Sequence, residues 1–254
     1  MAFCATYFGA NGWELRFGEH RVLLDPWLRG PLVFAGATWL FRGDLPQAWP
    51  VPRQVALLLL TQGLPDHAHP PSLQGLDRSI PVVASPAAAT VVRALGFQQV
   101  SVLRPGNTIR HSFADADVLE LEATAGAPVP RIENGYLLRH ASGRVYAEPH
   151  GYLQADLAAE RLDAVITPVL DLALPLAGAF VRGQAVLPQL LERFSPRWVL
   201  ASTAGGDVRY AGLLERLLRV RGSLESAERT MAAMAPGSRL LKAIPGRCYD
   251  LSAA

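Results

Sequence analysis

Six consecutive apolar residues, Val55–Leu60, run into Thr61 and then into the loop Gln62-Gly63-Leu64-Pro65-Asp66-His67-Ala68-His69-Pro70. The run has strand length and does not alternate, so it predicts a strand covered on both faces, inside a layered α/β structure. Residues 80–84 repeat the pattern after the loop. Ser85-Pro86 then predicts a helix through Leu95, with Ser85 as N-cap, Pro86 at the first helical position and Gly96 as the stop.

The rest of the chain follows the same grammar. Residues 5–8, 13–17 and 22–25 read as short strands separated by Gly9, Gly12 and Gly18, and the third ends in Asp25-Pro26. Residues 28–52 are loop-like, with four prolines and with Trp39, Phe41 and Trp49 among them. They predict a covering segment whose aromatics pack on the core, or a rim that contacts substrate. Strands are expected at 100–103, 118–122, 164–167, 198–201 and 248–251, and a hairpin at 135–139 and 144–147. Helices are expected at 152–161, 184–194, 225–234 and 210–220, the last capped by Asp207 and striped by Leu213, Leu214, Leu217 and Leu218. Two halves of similar type, about 1–130 and 131–254, each run from strands to alternating strand and helix. Together they predict one domain of two mixed sheets packed face to face with helices outside.

Composition narrows the function. The 254 residues are half hydrophobic and 18% charged, with mean hydropathy +0.17, enough to bury a large core. Net charge is +2 with the signs interleaved, so no nucleic-acid partner is expected. Cys4 and Cys248 are the only cysteines. They predict two buried free thiols in a reducing compartment. The first residues lack a basic head before an apolar core, and the apolar stretches are too short or too broken to span a bilayer, so a cytoplasmic protein without a transmembrane segment is expected.

Two acid–imidazole pairs carry chemistry. Asp66 and His67 follow the apolar strand, with His69 two residues on, and Glu148 and His150 follow a second strand. Carboxylate oxygen and imidazole nitrogen are the donors that zinc, manganese and iron accept. If the loop is extended, His67 and His69 share a face; if it turns, they diverge. Each pair also has a plainer reading, as a cap or a hydrogen-bonding pair.

The order of these pieces resembles the metallo-β-lactamase superfamily. TYFGANGWELRFGEHRVLLDPWL is similar to the opening hairpin and Asp-Pro strand end of its branch of ascorbate-phosphate lactonases and N-acylphosphatidylethanolamine-type phospholipases D. LLLLTQGLPDHAHPPSL resembles the family's strand followed by T-H-x-H-x-D-H, and DAVITPVL with the later RWVLASTAGG resembles its closing strand–helix–strand. The resemblance implies a four-layer αββα sandwich with the site at one edge of the sheets. Thr61, Asp66 and His67 match the motif, while Gln62 and Leu64 replace its first two histidines and Ala127 stands where the next is expected. The usual first metal position is thereby lost. Of the second, Asp66 and His67 remain, and the final histidine, expected near Ser202-Thr203-Ala204, is missing. Glu148 lies where a bridging aspartate is usual. The DHxH loop with the later ENGY and EPHG is similar to a branch of the fold in cyanobacteria and plant plastids, which implies no substrate.

Three functional readings follow. In the first, Asp66, His67 and His150 hold one divalent metal (zinc, manganese or iron), with His69 or Glu148 as a further ligand. Asp66, His67 and Glu148 then serve the hydrolysis of an ester, lactone or phosphodiester in an unidentified small molecule. In the second, no metal binds, and the same residues form a hydrogen-bonded cluster partnered by Arg131 or Arg144. The apolar segments 32–41 and 170–181 then face a partner, a lipid-like ligand or a second copy in a homodimer. In the third, His67 and an acid catalyse without metal.

Overall fold

In the computed structural model, which describes residues 2–128, 133–175, 178–203 and 208–252, Val55–Leu60 lies inside a seven-stranded sheet, parallel to His20–Leu24 on one side and Val82–Ala84 on the other. Leu57 and Leu59 enter a cluster with Leu121, Tyr136 and Leu138 of the opposing sheet. Leu58 and Leu60 pack with Ala88, Ala89 and Val92 of the helix Pro86–Ala94. Both faces are buried, and each leucine contributes roughly 1.5–3 kcal/mol by leaving water. That explains the absence of polar alternation.

The first sheet has the order Cys248–Asp250, Phe3–Gly9, Gly12–Phe17, His20–Leu24, Val55–Leu60, Val82–Ala84, Val100–Val102. The second has the order Arg239–Leu241, Trp198–Ser202, Ala164–Pro168, Gly143–Ala147, Asn134–His140, Val118–Ala125, Thr108–Ser112. Each is antiparallel at one side and parallel at the other. Leu73 of Pro70–Leu73 and the helix Pro86–Ala94 cover the outside of the first sheet. Gly183–Phe194 and Leu224–Met234 cover the second, through Leu190 and Phe194 and through Ala227 and Met231. This is the expected αββα sandwich. The last strand returns to the first sheet, so the two halves of the sequence share it.

Local signals act as expected at Ser85, whose Oγ accepts the Ala88 N–H at 3.3 Å. Three expectations are corrected. Residues 152–161 form no helix. Glu148 takes the Tyr152 N–H at 2.6 Å, the Tyr146 hydroxyl donates to the Tyr152 carbonyl, and Arg193 donates to the carbonyls of Ala155 and Leu157, so partners outside the segment replace the helical ladder. Residues 210–220 divide into Arg209–Ala211, a short helix Leu213–Leu217 and Arg219–Arg221. Gly212, at φ +112 and 2.7 Å in its added Cβ from the Leu40 carbonyl, breaks the helix, and the flanking strands pair with Arg42–Asp44 and Asp171–Leu174. Asp207, the expected cap, lies outside the described residues. Finally, Cys4 is buried but Cys248 is exposed.

Segment 28–52 carries two short strands, Leu32–Val33 and Arg42–Asp44. Trp49 donates its indole N–H to the Phe8 carbonyl, whereas Trp39 is 70% exposed and does not join the core. No helix among the described residues is long and apolar enough to cross a membrane.

Candidate metal centre

The parallel strands His20–Leu24 and Val55–Leu60 end side by side, which brings Asp25 against Thr61. Asp25 sits at φ +42, a left-handed conformation that costs a non-glycine residue about 1 kcal/mol. Its Oδ1 accepts the Thr61 N–H at 2.8 Å, and its Oδ2 accepts the Thr61 hydroxyl. The next residues fold back in one turn, with the N–H groups of His67 and Ala68 both donating to the Leu64 carbonyl. That turn sets His67 Nδ1 2.8 Å from Asp25 Oδ2. The other ring nitrogen, Nε2, faces Asp66 Oδ2 at 3.2 Å and Asn11 Nδ2 at 3.4 Å.

The far half of the chain meets this turn. Glu148 and His150 follow Gly143–Ala147 in the second sheet. Glu148 Oε2 accepts the N–H groups of His150 and Tyr152, at 3.2 and 2.6 Å. Gly151, at φ +76, allows the turn, because a Cβ there would lie 2.6 Å from the Arg182 backbone. His150 Nδ1 lies 2.6 Å from Glu133 Oε2, and Glu133 Oε1 lies 3.6 Å from His67 Nδ1. The His67 and His150 rings are 5.1 Å apart.

The structure therefore brings together Asp66, His67, Glu148 and His150, and it adds Glu133 and Asp25. It does not bring in His69. That ring takes the Ser72 hydroxyl at Nδ1 (2.9 Å) and places Nε2 3.2 Å from the Pro31 carbonyl, in contact with Trp27. The loop turns, so His67 and His69 diverge. Glu133 was visible only as the first letter of ENGY; its place in the site depends on Asn134, whose N–H donates to the Thr61 carbonyl and draws the two sheets together at this edge. Asp25 ends a strand in the sequence, and nothing in its local sequence signals a partner 42 residues away.

Four carboxylates and two imidazoles thus share a space in which Asp66, at 20%, and His150, at 11%, have partly exposed side chains. Burial opposes the His67 imidazolium, but Asp66 and Asp25 overcome it and hold the ring well above its ordinary value. Burial likewise opposes the charge on His150, and Glu133 raises it. Asp66 is held down, against burial, by His67 and then His150. Burial and the neighbouring Glu133 push the Glu148 carboxyl up to about 8. With both rings charged and Glu148 protonated, the other three carboxylates still exceed them by one negative charge. Arg144 does not balance them, since it is 3.9 Å from Glu160 on the surface, and Arg131 lies outside the described residues.

The donor set fits a divalent cation. Asp66 Oδ1, Glu133 Oε1 and Glu148 Oε1 are buried without a hydrogen-bond donor. Asp66, His67 and His150 bring one ligand atom each within 4.8 Å of one another, as do Glu133, Glu148 and His150. Oxygen and imidazole donors in this ratio suit zinc, manganese or iron. At the other expected positions Leu64 and the buried Ala127 offer no ligand atom. At the end of Trp198–Ser202, Thr203 donates to Asn11 Oδ1 at 3.3 Å.

A family model described as a beta-lactamase superfamily domain matches residues 5–202. No curated protein matches the chain by sequence. The fold is shared with a possible metal-dependent hydrolase from Veillonella parvula, at TM-score 0.71 and 14% identity, over 98% of this chain and 99% of that one. It is shared with an isothiocyanate hydrolase from Delia radicum gut bacteria, at TM-score 0.69 and 16% identity, over 97% and 98%. CmlA, a diiron beta-hydroxylase from Streptomyces venezuelae, matches at TM-score 0.67 and 14% identity, over 98% of this chain and 54% of that one.

Proposed function

The chain belongs to the metallo-β-lactamase superfamily, and on that premise we propose that it is a metal-dependent hydrolase of an ester, lactone or phosphodiester, working with one divalent ion. Asp66, His67 and His150 would hold the ion, with Glu133 beside them. One ion is proposed because both ligand groupings draw on the same His150. The observation that carries this reading is the set of three buried carboxylate oxygens that no donor satisfies, facing two imidazoles.

When bound, the ion supplies Lewis acidity and makes water acidic enough to attack near neutral pH. The protein's own residues prepare the rest. Asp25 holds His67 through Nδ1 and leaves Nε2 on the side of Asp66. Glu133 fixes His150 through its Nδ1 in the same manner. Glu148, pushed up to about 8, carries its proton near neutral pH, gives it from Oε1 to the leaving group and regains one from the attacking water, while Oε2 stays anchored on two backbone N–H groups. Asp66 and His150, the members partly open to solvent, mark the mouth.

The metal-free scaffold reading leaves three buried acceptors unpaired, at roughly 1–3 kcal/mol each. Metal-free catalysis by His67 asks for a neutral base, whereas Asp66 and Asp25 favour the charged form of that ring. Elemental analysis of the chain purified without added metal, and after loading with zinc, manganese or iron(II), tests the proposal. About one ion per chain is expected, lost in Asp66→Ala and His150→Ala. Hydrolysis of aryl ester, lactone and aryl phosphodiester probes should follow the metal content. A chain that binds no metal under any loading overturns the reading, and activity that needs iron and oxygen would move it to oxidative chemistry.

A further inference from the structure

Eight large apolar side chains stand exposed among the described residues, and five of them fall in one place: Trp39, Tyr210, Leu213, Leu217 and Val220. Trp39 is 70% exposed, Val220 55% and Leu213 45%. They belong to a continuous piece of surface. The Leu213 N–H donates to the Trp39 carbonyl at 3.0 Å and the Leu214 N–H to the Leu40 carbonyl at 2.9 Å. Arg209–Ala211 pairs with Arg42–Asp44, and Leu213 and Leu217 stand one turn apart on the same short helix.

The same segment is cationic. Arg209, Arg216, Arg219 and Arg221 are exposed, and Glu215 is the only acid between residues 209 and 221, so the segment carries +3 (four arginines less one glutamate). Arg42, close by, is already neutralised by Asp44 at 2.7 Å. The patch continues onto Phe41, whose ring is 5.5 Å from that of Tyr210.

We propose that this face docks the protein on an anionic lipid surface, with Trp39, Leu213, Leu217 and Val220 entering the apolar boundary and the four arginines meeting the headgroups. Apolar and cationic side chains are interleaved residue by residue here, whereas a protein interface has an apolar centre inside a polar rim. A lipid surface offers both chemistries at one depth: acyl chains below and negative charge above. Arginine stems lie along apolar surface while their charged heads stay at the headgroups, and tryptophan favours the same boundary. A second copy meets the patch less well, because a two-fold contact sets four arginines against four. The inference does not depend on the hydrolase reading, because lipid binding is read without turnover.

The full chain is mixed with phosphatidylcholine vesicles, with and without phosphatidylserine, and followed by co-sedimentation and tryptophan emission. Binding to the anionic vesicles is expected to exceed binding to the neutral ones by about tenfold or more, with a blue shift in emission and weakening as salt rises. Trp39→Ala should abolish the shift. The pair Arg216→Glu/Arg219→Glu should lower anionic binding by about tenfold or more with unchanged melting. Equal binding to both vesicle types, or variants that bind like the parent, overturns the proposal. So does a dimer in solution that dissociates in the same variants, which would assign the face to a second copy.

Discussion

Asp25 Oδ2 and His67 Nδ1 meet at 2.8 Å in the buried interior of the candidate metal centre, joining residues 42 positions apart. The contact has two consequences. It ties the ends of two parallel strands through Thr61, and it commits one nitrogen of His67 so that the other faces Asp66.

Replacing Asp25 with Asn keeps the shape and removes the charge. An outer carboxylate on a ligating histidine typically accounts for about 10–100-fold in metal affinity. Asp25→Asn should therefore weaken zinc binding by about that factor, measured by competition with a chromophoric chelator. Parent-like affinity would reduce Asp25 to a strand tie.

The metal-free protein should lose stability as pH rises. Glu148 is raised on folding to about 8. A raised group binds its proton more tightly in the native state, so its contribution is complete below the unfolded value and disappears as pH climbs through the folded one. His67, also raised, acts in the same sense. Melting of chelator-treated protein should fall between pH 6 and pH 9, and Glu148→Gln should flatten, without abolishing, that decline. A decline of equal steepness in the variant would remove Glu148 from the account. Metal competes with these protons, so the stabilisation it confers should grow over the same interval.

Much of the fold was legible because its signals are local. The run Val55–Leu60 announces two-sided burial, and Ser85-Pro86 announces a helix start. The site was half legible. Asp66, His67, Glu148 and His150 lie at strand ends, and strand ends converge. Glu133 and Asp25 were not legible as site residues, because each depends on which strands become neighbours, a property of the sheet order. Residues 210–220 misled for a related reason. Their leucine spacing suits a helix, but unpaired edges at Arg42–Asp44 and Asp171–Leu174 recruit the chain on either side of Gly212.

The two cysteines should react at different rates. They sit on neighbouring strands, Cys4 opposite Asp250 and Cys248 opposite Thr6. Cys248 is exposed; Cys4 is buried, and burial, with Cys248 nearby, pushes its thiol up. A thiol reagent should label one group quickly and the second only with unfolding. Cys248→Ser should remove the fast phase, and a remaining fast phase would contradict the placement of Cys4.

The continuous apolar run makes a sharper demand on the core. Leu58 faces the helix Pro86–Ala94 and Leu59 faces the opposing sheet, and neither is exposed. In a half-buried strand, truncating one of two successive residues is costly and truncating the other is nearly free. Here both sides lose packing. Leu58→Ala and Leu59→Ala should each cost about 2–5 kcal/mol in urea unfolding, with Ser85→Ala, which removes only a cap, nearer 1 kcal/mol. A cost at Leu59 alone would mean that the outer helix contributes little, and that the sandwich is held by its two sheets.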